Sequence, residues 1–169
     1  MNITAGKYKG QKLLVPDENI TRPTLSKVRM ALFNTLQSLI DFDGASFLDM
    51  FAGSGIMGLE ALSRGFENVT AIEKNPKTFK ILENNYKKIG ENQRLIKGDS
   101  LKVIPEEYFD VVYVDPPYYS GVYEHVLNTI TEFGILILEH TVEIDFSKYD
   151  VVKQKKYGDK YLTFLKNKS

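Results

Sequence analysis

Ser46-Phe47-Leu48-Asp49-Met50-Phe51-Ala52-Gly53-Ser54-Gly55-Ile56-Met57-Gly58 decides the fold, because a short apolar strand ends in an acid, passes through a glycine turn and opens a helix. The glycines permit a tight turn and let a ligand approach bare backbone at a helix N-terminus. The helix, Ile56 to Arg64, stops at Gly65 in the manner of a C-cap. Downstream the alternation repeats: Val69 to Glu73 reads as a second strand, Pro76 to Ile89 as a helix closed by Gly90, then Arg94 to Lys97, Asp110 to Val114 and Gly134 to Glu139 as further strands. Strands alternating with helices imply right-handed crossovers and a mostly parallel sheet covered on both faces. The pattern then changes. Tyr149 to Lys155 and Lys160 to Leu165 flank Tyr157-Gly158-Asp159 with no helix between, which reads as a closing antiparallel hairpin. Upstream, Ile3 to Leu14 is broken by Gly6 and Gly10 and reads as a small N-terminal β-hairpin, followed by a loop from Pro16 to Pro23. From Thr24 as N-cap, Val28, Leu32, Leu36 and Leu39 recur at helical spacing to about residue 40. The expected fold class is α/β: a Rossmann-like, mostly parallel seven-stranded sheet with a C-terminal antiparallel hairpin.

At 169 residues the chain suits one α/β domain, with 1–23 as a basic hairpin and loop and 24–169 as the core. Apolar residues at 43% and charged residues at 26% exclude a disordered or fibrous chain. Net charge is zero, so no uniformly basic surface is available for nucleic acid, yet residues 1–30 carry Lys7, Lys9, Lys12, Arg22, Lys27 and Arg29 against Asp17 and Glu18. A local basic patch of this kind suits a phosphate backbone, and it also suits a solvated turn. The absence of cysteine excludes disulfides and thiolate metal sites. His125 and His140, the only histidines, lack partners at metal-ligand spacing, so both are read as structural and no metal is expected. No apolar run approaches the roughly 20 residues needed to span a bilayer, and a monomer in the cytoplasm is expected.

Ligands of such sheets bind beyond the carboxyl ends of the strands, where strand order reverses. Polar motifs stand at those ends. Gly53, Gly55 and Gly58 satisfy G-x-G-x-x-G, and Glu73, with Lys74 after it, ends the second strand where an acid can accept from ribose hydroxyls; a dinucleotide-binding dehydrogenase is therefore a competing reading. Asp49 separates the two. A pyrophosphate gains nothing from a neighbouring carboxylate, whereas the ammonium of S-adenosylmethionine is attracted by one. Asp99-Ser100 follows the third strand, where Asp99 can accept from an adenine amine or simply cap a helix. Asp115-Pro116-Pro117-Tyr118 follows the fourth. Pro117 has no N–H and the residue before a proline is extended, so the Asp115 carboxylate and the Pro116 carbonyl can both face a cleft. Two acceptors on the N–H bonds of a conjugated amine let its nitrogen pyramidalise and aim its lone pair, and Tyr118 can stack on the base. The same tetrapeptide is also an ordinary strand end and turn.

With these motifs the chain resembles the class I S-adenosylmethionine-dependent methyltransferases, and within them the RsmD family, which methylates the N2 amine of a guanine in 16S ribosomal RNA. The narrower resemblance is carried by Ile3-Thr4-Ala5-Gly6-Lys7-Tyr8-Lys9-Gly10, Arg22-Pro23-Thr24, Val28-Arg29-Met30-Ala31-Leu32-Phe33-Asn34, Gly58-Leu59-Glu60-Ala61-Leu62-Ser63-Arg64-Gly65 and Lys156-Tyr157-Gly158. It implies a cofactor site of Asp49, Phe51, Ala52, Gly53, Ser54, Gly55, Glu73, Lys74, Asp99, Ser100 and Asp115, with Arg22 and Thr24 closing over the methionine end. It implies catalysis by Asp115, Pro116, Pro117 and Tyr118, and 16S ribosomal RNA or the small-subunit particle as partner, reached through Lys7, Lys9, Lys12 and Arg29. Relatives using similar motifs on adenine N6 form the nearest alternative reading.

Overall fold

The computed structural model describes residues 1–16, 26–117 and 121–169. Its elements run α1 (Ser26–Gln37), β1 (Ser46–Asp49), α2 (Ile56–Ser63), β2 (Asn68–Glu73), α3 (Pro76–Ile89), β3 (Arg94–Lys97), α4 (Ser100–Val103), β4 (Phe109–Val114), α5 (Val122–Thr129), β5 (Phe133–His140), β6 (Tyr149–Tyr157) and β7 (Lys160–Asn167). The seven strands form one sheet in the order β3-β2-β1-β4-β5-β7-β6. Strands β1 to β5 pair in parallel, and β7 lies antiparallel between β5 and β6. The order reverses at β1, which pairs with β2 on one side and β4 on the other, so the ligand crevice of such a sheet opens between β1 and β4.

Side chains on a strand alternate between faces, and the buried apolar residues sort accordingly. Phe47, Val111, Tyr113, Ile135 and Ile137 join the core under α1, α2 and α3, which contribute Leu32, Leu36, Leu59 and Leu82. Their strand neighbours Leu48, Val112, Val114, Leu136 and Leu138 join the opposite core with Val122 and Val126 of α5. Helix α3 shows why its ends fall where they do. Asn75 accepts from the N–H groups of Lys77 and Thr78, Pro76 occupies the first turn, and Gly90 terminates the helix with φ 87°.

The predicted N-terminal hairpin is reduced to a single antiparallel bridge, Asn2 to Lys12, flanked by Ile3 N–H to Gln11 O at 3.1 Å and Leu13 N–H to Met1 O at 2.8 Å. What fixes this segment is α2. The Glu60 carboxylate accepts from Thr4 N at 3.0 Å, Ala5 N at 3.2 Å, Arg29 Nε at 3.0 Å and Arg64 Nε at 3.0 Å. Gly6 lies so close that a Cβ there would stand 1.8 Å from the Ser63 carbonyl oxygen. The expectation that Arg29 meets RNA is therefore corrected. Its side chain is fully buried and paired with Glu60, and a guanidinium so placed reaches no phosphate. Thr24, expected to cap α1, lies outside the described residues.

Candidate active site

The apolar run of β1 carries Asp49 into the core, where it is 1% exposed. Its Oδ1 accepts from the Phe51 N–H at 3.3 Å. Burial pushes this carboxyl well above the usual range; the Phe51 hydrogen bond opposes that, and Asp115, Glu73 and Glu139 add to it. A buried acid surrounded by acids is a site for a cationic group. The turn beyond it is shaped by Gly53 (φ 56°) and Gly55 (φ 90°), conformations that other residues adopt only with strain. Glu73 braces the turn, accepting from Gly53 N at 2.8 Å through Oε1 and from Asn75 N at 2.9 Å through Oε2. Each oxygen keeps a lone pair for a ligand hydroxyl.

Gly58, the third glycine of the G-x-G-x-x-G pattern, serves packing: a Cβ there would meet Tyr86 Oη at 2.3 Å and Val69 Cγ1 at 2.8 Å. Ala52 is anchored by its N–H to Ile72 O at 2.9 Å. The Ser54 carbonyl accepts from the buried Asn85 Nδ2 at 2.9 Å, and the same amide exchanges bonds with Leu14 N at 2.8 Å and Leu14 O at 2.9 Å. Asn85, which sequence reading passed over, thus ties the N-terminal segment to the glycine turn.

At the end of β3 Asp99 caps α4, accepting from Leu101 N at 3.0 Å, while Lys74 Nζ stands 3.9 Å from its other oxygen. Ser100 is buried and donates to the Met50 carbonyl, so it supports the loop after β1. At the end of β4 the Asp115 side chain is 24% exposed and its Oδ1 lies 3.4 Å from Lys160 Nζ. Burial raises the Asp115 carboxyl and Lys160 opposes the rise. Pro116 follows half-buried and Pro117 exposed. Tyr118, Arg22 and Thr24 lie outside the described residues.

Two further residues complete this wall. Glu139, one residue before the end of β5, is 1% exposed and sits 3.2 Å from the same Lys160 ammonium. Its Oε2 has no hydrogen-bond partner among the described residues. An acid closing a buried strand was the signal at Asp49 and Asp115 too, so Glu139 was findable; Lys160, delivered by the β6–β7 turn from 45 residues away, carries no local signal. His140 is held by Val142 O and Thr163 Oγ1, each at 2.8 Å, as a structural residue is.

Lys7, Lys9 and Lys12 are exposed, and Lys7 stands away from the glycine turn. Lys7 N–H bonds Ser63 O at 2.9 Å, at the far end of α2, about 12 Å along that helix from the glycine turn. Its ammonium lies 3.6 Å from Glu91, just past the end of α3.

The family described as conserved hypothetical protein 95 matches residues 1–166. Ribosomal RNA small subunit methyltransferase D of Escherichia coli (strain K12) is 34% identical over 148 residues, covering 86% of this chain and 74% of that protein. YlbH of Bacillus subtilis is 31% identical over 158 residues, 86% of this chain and 85% of its own. Among solved structures, Escherichia coli yhhF superposes with a TM-score of 0.86 at 27% identity, covering 99% of this chain and 97% of that one. Matched by that family over residues 1–166 and similar over most of its length to these relatives, the chain belongs to the RsmD family of class I methyltransferases.

Proposed function

We propose that this rRNA methyltransferase transfers a methyl group from S-adenosylmethionine to the exocyclic N2 amine of a guanine in 16S ribosomal RNA, acting as one catalytic domain in the cytoplasm. The observation that carries the reading is the pairing of two acids across the β1–β4 crevice. Asp49 stands in register with Tyr113, two residues before Asp115, and the Asp115 carboxylate helps to raise that of Asp49. A cofactor that brings its own cation answers the first acid. Asp49 fits the ammonium of S-adenosylmethionine, Glu73 its ribose hydroxyls, and Asp99 its adenine amine. When bound there, the cofactor supplies an electrophilic methyl group.

The protein's part is binding and orientation. Asp115 and the Pro116 carbonyl accept from the two N–H bonds of the target amine and localise its lone pair, and Tyr118 offers a stacking face. The base must leave its helix first, because a paired and stacked amine cannot reach the crevice. No strong base is required, since the amine becomes acidic only as the new bond forms. The test is methylation of small-subunit particles and of extracted 16S RNA with labelled cofactor, followed by mass spectrometry of the nucleosides. N2-methylguanine is expected; N6-methyladenine as the sole product would overturn the assignment of the base.

A further inference from the structure

We propose that Lys160, the first residue of β7, is a positioning residue for the methyl transfer: clamped by buried Glu139, its ammonium holds Oδ1 of Asp115 and leaves Oδ2 turned to the incoming amine. The inference rests on the methyltransferase reading given above. Its observations are geometric. One ammonium stands 3.4 Å from Asp115 Oδ1 and 3.2 Å from Glu139 Oε1. An ammonium has three donors and no acceptor, so it serves both carboxylates at once. Asp115 Oδ2 has no hydrogen-bond donor among the described residues.

Placement follows from the hairpin. β7 pairs with β5 up to His140–Tyr161, and Lys160 comes one residue beyond, at the carboxyl end of the parallel strands. The turn that closes at Tyr157–Lys160 thereby delivers a cation to the crevice wall. Neither neighbouring strand supplies one itself, because β5 ends in Glu139-His140 and β4 in Val114 with Asp115 after it.

Charge explains why a cation is needed. Asp49 from β1 and Glu139 from β5 face the Asp115 region, and Glu73 from β2 acts on the same group of acids through Asp49. The only described cation within ion-pair distance of Asp115 is Lys160. Burial works against the lysine's charge, but the two carboxylates outweigh it and keep the ammonium protonated. Without Lys160 the cheapest response of two buried acids is to take up a proton, and a protonated Asp115 is a poorer acceptor for the amine. Glu139 in turn needs the lysine more than Asp115 does, being almost wholly buried, and so anchors it.

The test uses the full-length chain with Lys160→Met, Lys160→Arg and Glu139→Gln. Three readouts are taken: carboxyl-carbon NMR titration of Asp115 in cofactor-free protein, affinity for S-adenosylhomocysteine, and the pH profile of rRNA methylation. In Lys160→Met the Asp115 titration and the acidic limb of kcat should both move to higher pH. On that acidic limb kcat should fall about tenfold for each pH unit by which the titration moves, and recover as the pH is raised. Lys160→Arg should restore most of the loss. Glu139→Gln, which releases the ammonium to Asp115 alone, should move the titration the other way. S-adenosylhomocysteine affinity should stay within about twofold throughout. An Asp115 titration unmoved in both Lys160→Met and Glu139→Gln would overturn the role of the lysine, with or without catalysis. A wild-type protein that methylates no rRNA, yet shows the expected titration shifts, would instead overturn the functional reading on which that role depends.

Discussion

Asp49 and Asp115 carry equal formal charge in unlike surroundings, one without a neighbouring side-chain cation among the described residues and one beside Lys160. Asp49 lacks a side-chain cation among the described residues around it, and burial raises its carboxyl well above the usual range. The native state therefore holds that proton to higher pH than the unfolded chain does, so between the two titrations stability falls as pH rises. Asp49→Asn removes the cost. At neutral pH the cofactor-free variant should melt higher than wild type, by about 3 °C for each kcal/mol released, and the advantage should vanish below the usual carboxylate range near pH 4. The same variant should lose affinity for S-adenosylhomocysteine. Calorimetry with and without ligand checks both halves. Asp115→Ala, which removes the acceptor proposed for the amine, should lower kcat by about 10- to 150-fold, the equivalent of roughly 1.5 to 3 kcal/mol, while S-adenosylhomocysteine still binds. Asp115→Asn should keep part of the activity, since an amide oxygen still accepts. A single-turnover assay separates these outcomes from changes in RNA binding.

Helix α2 is the element that holds unlike parts of the molecule together. Its N-terminus receives the glycine turn, Gly58 admits Tyr86 and Val69, and Glu60 gathers two arginines and the N-terminal backbone. Removing one partner of a buried ionic cluster leaves the others uncompensated, which costs about 3 to 5 kcal/mol. Glu60→Ala should therefore lower the denaturation midpoint severely, and Arg29→Met should destabilise by a similar mechanism without altering the salt dependence of RNA binding. Arg29 also shows where sequence reading fails. A lone arginine on an amphipathic helix defaults to the surface, and nothing local reveals a carboxylate 31 residues away. The end of β1 was legible because a buried apolar run stops abruptly at an acid, and β3 too begins and ends at the residues expected, its Leu-Ile pair bounded by Arg94 and Lys97. The start of α4 was legible only as a cap at Asp99, and α5 was given no bounds, since it lacks the closing glycine that marked α2 and α3. The carboxylates of the crevice could be found from strand ends, whereas Lys160 and Asn85 act across the fold and could not.

At the scale of the molecule, Lys7 stands at the end of α2 away from the glycine turn, whereas Lys12 lies two residues before Leu14, which Asn85 ties to that turn. No helix among the described residues is long and apolar enough to cross a membrane. An RNA that reaches both the crevice and Lys7 must extend along α2, so a grip there is separable from the chemistry. Replacing the three lysines with alanine should reduce the slope of log affinity against log salt by about 0.7 to 0.9 for each phosphate that is no longer neutralised. Cofactor affinity should be unchanged. Filter binding across a salt series measures the first, and an unchanged slope would assign those lysines to solvent.

Sheet order and the order of synthesis disagree in one place. β7 is the last strand of the seven to be made, yet it lies inside the sheet, and β6 pairs with no other strand. A nascent chain that has reached β6 therefore has five parallel strands and an orphan, and its Asp115 and Glu139 still await the ammonium that meets them both. The final strand brings structural closure and charge balance in the same step. An unfinished copy on the ribosome would thus carry the crevice without its lysine until β7 has emerged and paired.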